Sequence, residues 1–310
     1  MPERPGPEDN SRNRICRDLT VKLAWKEKAI KVILLGTAST SILIVIGIFG
    51  FLGKEAGPFI AEPGVKELLS TRWMPVSFQK ESFGILPLIT GSLLVTALAT
   101  LMTIPFGVGA AVYISEIAKP IEGEILKPFI ELLAGIPSVV IGFFGLVVLS
   151  PLVKASFNLP TGLTALVGAI LLALMAVPTV ISVSEDAIRS VPESYKAASL
   201  ALGASKMQTV WKITVPAALP GIIAAIMLGI GRVVGETMAV MMVTGNAAVI
   251  TASPLDSVRT MTATIAAEMG EVAFGSIHYR ALFCVGVVLL LTTFAINMVS
   301  QKVLKRYRMG

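Results

Sequence analysis

An all-α membrane protein with about six transmembrane helices is the fold class this sequence predicts, on three observations. Of the 310 residues, 54% are hydrophobic and only 15% are charged, with a mean hydropathy of +0.80. A soluble domain carries roughly a quarter of its residues as Asp, Glu, Lys and Arg. Charge-free apolar runs recur along the chain, each near the roughly 20 helical residues needed to cross a hydrocarbon core about 30 Å thick. The basic residues are also unevenly shared. If the runs alternate direction, 18 of the 26 Lys and Arg residues fall on the side of both termini, 7 on the other, and Arg232 within a span. Positively charged loops stay cytoplasmic, so both termini are expected there.

In chain order, residues 1–31 form a polar, basic cytoplasmic tail with Pro2, Pro5 and Pro7 near its start. Within it, Asp18 to Lys31 carries Leu19, Leu23 and Ala24 or Trp25 at helical spacing, the pattern of a helix lying in the membrane interface. Residues 32–53 are the first span. This run is too long for a signal-peptide core and lacks an A-x-A-like cleavage site, so it is expected to be retained. Residues 54–83 form an external loop, where Trp73 and Pro75 suggest a short helix.

The core of the chain spans 84–303. Its apolar runs are Gly84 to Ser115, Leu132 to Val153, Ala155 to Ser184, Ile213 to about Gly245, and Ala281 to Gln301. Lys154 and the Asn158-Leu159-Pro160 turn divide the third span from the fourth. A second long external loop, from Asn246 to Arg280, holds the Ala-, Glu- and Met-rich stretch Thr262 to Val272, expected to be helical. Residues 304–310 form a cytoplasmic tail.

Several function classes are excluded by what the chain lacks. Two distant cysteines, Cys16 and Cys284, and one histidine, His278, provide neither a disulfide framework nor metal-ligand spacing. No Gly-x-x-x-x-Gly-Lys-[Ser/Thr] phosphate loop occurs, so ATP hydrolysis would have to reside on another polypeptide. No buried Ser/His, His/Glu or paired Asp arrangement supports an intramembrane enzyme. The chain is read as a transport subunit with no cofactor, no metal and no nucleic-acid partner. An ion-coupled secondary transporter is the alternative from another class. It would need acidic relay residues in several spans, and spans one, two, three, four and six have no Asp or Glu in their cores.

Three segments carry functional chemistry. The loop between spans four and five includes Ser190, Pro192, Ala197-Ala198-Ser199, Gly203, Ile213 and Val215-Pro216. Ser190 or Pro192 can open a helix, Ala197 to Leu202 favour one, and Gly203 suits its stop. A second helix is expected from Lys206 to Ile213. Within span five, Arg232 and Glu236 are four residues apart and would share a helix face, where they could pair. An intramembrane charge costs roughly 2.5–3.5 kcal/mol on insertion scales, so it is expected to face the bundle interior or a water-filled path. Arginine's planar donor fork matches phosphate oxygens and stays charged. Thr237 could add a hydroxyl donor, and Gly229, Gly231 and Gly235 permit close approach. In the third segment, Glu131, Gly135, Pro137, Ser138 and Gly142 surround a proline that frees a backbone carbonyl, a candidate gate or kink at the start of span three.

The first loop resembles the coupling loop of importer-type ABC permeases, of the form Glu-Ala-Ala, three residues, Gly, nine residues, Ile-x-Leu-Pro. Ala197, Ala198, Ser199, Gly203, Ile213 and Pro216 occupy the matching positions. The family's glutamate is replaced by Ala197, its second alanine by Ser199 and its leucine by Val215. Gly231-Arg232-x-x-Gly235-Glu236-Thr237-Met238-Ala239, followed by Gly245-Asn246, narrows the likeness to the PstC type of phosphate permease. Ala267-Glu268-Met269-Gly270 and Ser276-Ile277-His278-Tyr279 are similar to that type as well. The likeness runs from about Ser82 to the C-terminus. It implies a MetI-like bundle with a cytoplasmic coupling helix, importing inorganic phosphate across a prokaryotic inner membrane by alternating access. It further implies a PstA-like sister permease, two PstB-like cytoplasmic ATPases and a PstS-like external binding protein. Another oxyanion or small solute in the same ABC class is the nearest alternative.

Overall fold

In the computed structural model, residues 7–77 and 81–308 are described. The chain divides into two compact units, Met1–Lys54 and Glu55–Gly310. The first unit is made by the long helix α1 (Pro7–Phe59), which continues a few residues into the second. Its apolar residues Ile33, Leu35 and Leu43 are exposed, as suits a helix apolar all round and solvated by lipid. The expected interfacial segment is helical in its backbone, whereas the side chains of Leu19, Leu23 and Trp25 lie outside the described residues.

The second unit begins with a kink at Glu62-Pro63 and the short α2 (Val65–Leu68). Strands β1 (Trp73–Met74) and β2 (Ser82–Phe83) follow, paired antiparallel with Trp73 opposite Phe83. The short helix expected around Trp73 and Pro75 is thus a hairpin. Trp and Phe are strong strand formers, and here their rings meet edge to face at 6.1 Å.

The remaining elements are helices. They are α3 (Leu86–Val112), α4 (Pro120–Gly135), α5 (Ser138–Phe144), α6 (Ser150–Phe157) and α7 (Ala165–Arg189). Then come α8 (Glu193–Ala201), α9 (Lys206–Thr209), α10 (Val215–Gly235), α11 (Met238–Val243), α12 (Met261–Glu268) and α13 (Ile277–Arg308). Wider π-turns extend α3, α5 and α9. Among the described residues, six helices are long and apolar enough to cross a membrane: Ile30–Leu68, Leu86–Ile117, Ser138–Phe157, Ala165–Arg189, Lys206–Gly235 and Ile277–Lys302. Span three starts at Ser138 rather than Leu132. Leu132 belongs to α4, whose side chains are all at least partly exposed.

The centre of this unit is α7. It packs against α3 and α10 through Val95, Ala99, Ala169, Leu172, Ala176 and Val233. Small residues allow this proximity. A Cβ at Gly107 of α3 or at Gly229 of α10 would each lie 2.7 Å from Val180 of α7, so Val180 is seated between two helices that had to omit a side chain there.

Candidate functional site

The loop after α7 folds as two capped helices. Pro192 stands at the N-cap of α8, and α8 ends in a Schellman motif. Gly203 takes φ +85°, its N–H donates to Leu200 O at 2.9 Å, and Ala204 N–H donates to Ser199 O at 3.2 Å. Only glycine adopts that backbone without a steric penalty. Ser205 then caps α9. Gln208 N–H donates to Ser205 Oγ at 3.2 Å, and Ser205 N–H donates to Gln208 Oε1 at 2.9 Å. The helix expected over Lys206 to Ile213 begins as α9 and passes through the π-turn Val210–Thr214 directly into α10.

This turn presents a surface. Ala197 and Ala198 are exposed, as are Tyr195, Leu200, Met207, Trp211 and Ile213, and Leu202 is 90% exposed. Many apolar side chains thus lie exposed together in this one segment. Around it lie ion pairs. Glu185, 2% exposed in α7, holds Arg189 at 2.9 Å and Lys127 of α4 at 3.5 Å. Lys196 of α8 lies 2.8 Å from Glu116, in the turn that extends α3, and 3.0 Å from Glu193. Burial by itself lowers the Lys196 pKa. Pairing with Glu116 and Glu193 outweighs it, and the net pKa is raised above 10.5. A raised lysine pKa means that the pairing contributes in full below the ordinary value and is lost only as pH climbs through the higher folded one. It is formed throughout the neutral range.

Arg232 lies in the last turn of α10 and is exposed on this chain. Its Nη1 donates to Thr179 Oγ1 of α7 at 3.3 Å. Among the described residues no carboxylate forms an ion pair with it. The expected pairing with Glu236 on one helix face is absent because α10 stops at Gly235 and Glu236 is extended, at φ −70° and ψ 134°. The Glu236 carboxylate instead accepts from Ala239 N–H at 3.3 Å, capping the positive N-terminal end of α11. Thr237 Oγ1 donates to Gly235 O at 3.3 Å, and Thr262 Oγ1 donates to Glu236 O at 2.9 Å. Gly235 and Thr237 therefore bracket a break in span five, with its freed carbonyls bound by hydroxyls. The guanidinium keeps most of its donors available on the exposed face. Thr179 was not singled out from sequence, since its role exists only where α7 meets α10.

Pro137 and Ser138 also mark a break. Ile136 and Pro137 are extended between α4 and α5, and Pro137 O accepts from Val140 N–H at 3.0 Å to start α5. Pro137 thus separates two helices instead of kinking one. The two breaks share a neighbourhood, because a Cβ at Gly142 of α5 would lie 2.9 Å from Ala239 Cα of α11.

At the opposite end of the bundle, Glu268 of α12 is a node. It pairs with Arg259 at 2.7 Å and contacts His278 Nε2 at 2.8 Å, and it accepts from Trp73 Nε1 at 3.1 Å. The Ala-Glu-Met-Gly and Ser-Ile-His-Tyr segments thereby tie two loops and the hairpin together. Glu268 itself drew no role from sequence, and neither did its partners.

Residues 103–306 match the family described as binding-protein-dependent transport system inner membrane component. The chain is 41% identical over 260 residues to "Probable ABC transporter permease protein YqgH" of Bacillus subtilis (strain 168), covering 83% of this chain and 82% of that protein. It is 31% identical over 316 residues to "Phosphate transport system permease protein PstC" of Mesorhizobium japonicum, covering 94% of each. Among solved structures, a bacterial ABC transporter involved in alginate import superposes with a TM-score of 0.64 at 15% identity, over 94% of this chain and 99% of that one. The inward-facing MetNI methionine ABC transporter gives 0.54 at 19% identity, over 72% and 94%. The two structures establish a shared fold.

Proposed function

We propose that this chain, which belongs to the family of binding-protein-dependent transport system inner membrane components, is the membrane-spanning subunit of an ATP-driven importer of inorganic phosphate. The chain performs no chemistry on its solute, and ATP is hydrolysed on separate subunits. Its partners are a PstA-like sister permease, two PstB-like ATPases and a PstS-like external binding protein. The charge bias supports a cytoplasmic side for both termini and α8, where the exposed Tyr195, Leu200, Leu202 and Trp211 would be available to an ATPase cleft.

The observation that carries the reading is the free donor face of Arg232. A guanidinium within a span, held by a neutral hydroxyl and, among the described residues, by no carboxylate, is a resident cation in want of an anion. The sister subunit would cover the exposed side and complete the path. ATP binding closes the ATPases and carries α8 with them, shifting the bundle between outward- and inward-facing states. Near the arginine, Glu236 caps α11 and lowers the local positive potential, which keeps the site from trapping its anion.

The test is uptake of labelled phosphate by the assembled complex in proteoliposomes. Arg232→Gln should lower uptake by at least about tenfold, the loss of a charge-assisted hydrogen bond of roughly 1.5–3 kcal/mol, while ATPase subunits still copurify. Unchanged uptake would remove the arginine from the path. Sulfate or molybdate competing as well as phosphate would reassign the solute.

A further inference from the structure

Within α8, Lys196 and Ser199 are the two residues not exposed. They lie three apart, on one face of the helix, and each reaches a different span. Lys196 Nζ meets Glu116 Oε1 at 2.8 Å, at the foot of span two. The Ser199 hydroxyl meets that of Thr209 at 2.9 Å, at the foot of span five. The helix buries no residue, so its hold on the bundle through its own side chains is polar. The two holds are unequal. The Lys196 and Glu116 side chains are 16% and 9% exposed, whereas Glu193, the second partner of Lys196, is 85% exposed. An ion pair shielded from water resists separation, because parting it leaves a buried charge unmatched. The one to Glu193 is screened and weak.

We infer that the Lys196–Glu116 pair is the joint through which a displacement of α8 enters span two, making Lys196 a positioning residue for coupling. The inference rests on the transport reading above. From Glu116 the path continues in packed atoms. The π-turn carrying Glu116 extends α3, and Gly107 of α3 lies against Val180 of α7, which also fills the gap at Gly229 of α10. Thr179, adjacent to Val180, holds Arg232. Movement of span two thus reaches the anion site through Val180, a side chain with no free volume on either side. The pairing that raises the Lys196 pKa keeps the lysine charged at every physiological pH.

The experiment measures phosphate imported and ATP hydrolysed by the same assembled complex. Lys196→Met should leave ATP hydrolysis running and lower phosphate imported per ATP by about fivefold, the low end of coupling between sites. Glu116→Gln, which does not alter α8, should lower the ratio alike. The reversal Lys196→Glu with Glu116→Lys should restore it above either single reversal. If Lys196→Met blocks assembly, Glu116→Gln and the reversal decide the matter. A ratio unchanged in Glu116→Gln, or a reversal no better than its single changes, overturns the joint. A wild-type complex that hydrolyses ATP without importing phosphate would instead overturn the transport reading.

Discussion

Thr179 follows Pro178 in α7, and its hydroxyl accepts a hydrogen bond that helps fix the Arg232 side chain. Valine has the same shape without the acceptor. Thr179→Val should therefore leave assembly intact and raise the phosphate concentration for half-maximal uptake roughly two- to tenfold, a fraction of the roughly 1.5–3 kcal/mol of a hydrogen bond to a charged group, because the change reaches phosphate only through the position of the arginine. Thr179→Ser should restore it, and concentration-dependent uptake assays on both variants check the claim. Arg232 itself was legible from sequence, because an ion in an apolar run is conspicuous whatever the fold. Its partner was not. Glu236, at i+4, was the natural candidate, and the backbone break at Gly235 gave its carboxylate to α11 instead. Thr179 is 53 residues away, and only tertiary packing brings it near.

At the scale of elements, local signals were read well and long-range ones less so. Gly203 announced the end of α8, since its place after an Ala- and Leu-rich run is where a left-handed residue closes a helix. Gly203→Val should strain that turn by about 1–2 kcal/mol and loosen the α8–α9 geometry. Less ATPase subunit should then copurify, with Gly203→Asn nearer wild type, as quantified from purified complexes. The breaks at Pro137 and Glu236 were harder. Hydropathy counts apolar side chains and is blind to backbone angles, so Ile213 to Gly245 read as one span. Pro137 was noticed, but as the opening of a helix begun at Leu132, because nothing in the local pattern separates an exposed apolar helix such as α4 from a membrane span. The hairpin at Trp73 was missed for a related reason, its pairing with Phe83 being non-local.

Within the second unit, α7 is the axis, the most enclosed of its spans, and the surface it helps support includes an exposed guanidinium at Arg232. That exposure has a consequence in the cell. A copy synthesised without its sister would turn a permanent cation toward acyl chains, at a cost of roughly 2.5–3.5 kcal/mol if it lies at mid-bilayer. Such an orphan should be short-lived and cleared by membrane proteases until a companion shields it. Pulse-chase labelling of the lone polypeptide should show rapid turnover, slowed by Arg232→Leu and by co-expression of the sister. Equal lifetimes in all three would mean that lipid tolerates the ion. With turnover slowed as expected, the residue proposed to attract the cargo would also enforce stoichiometry, penalising every subunit made in excess.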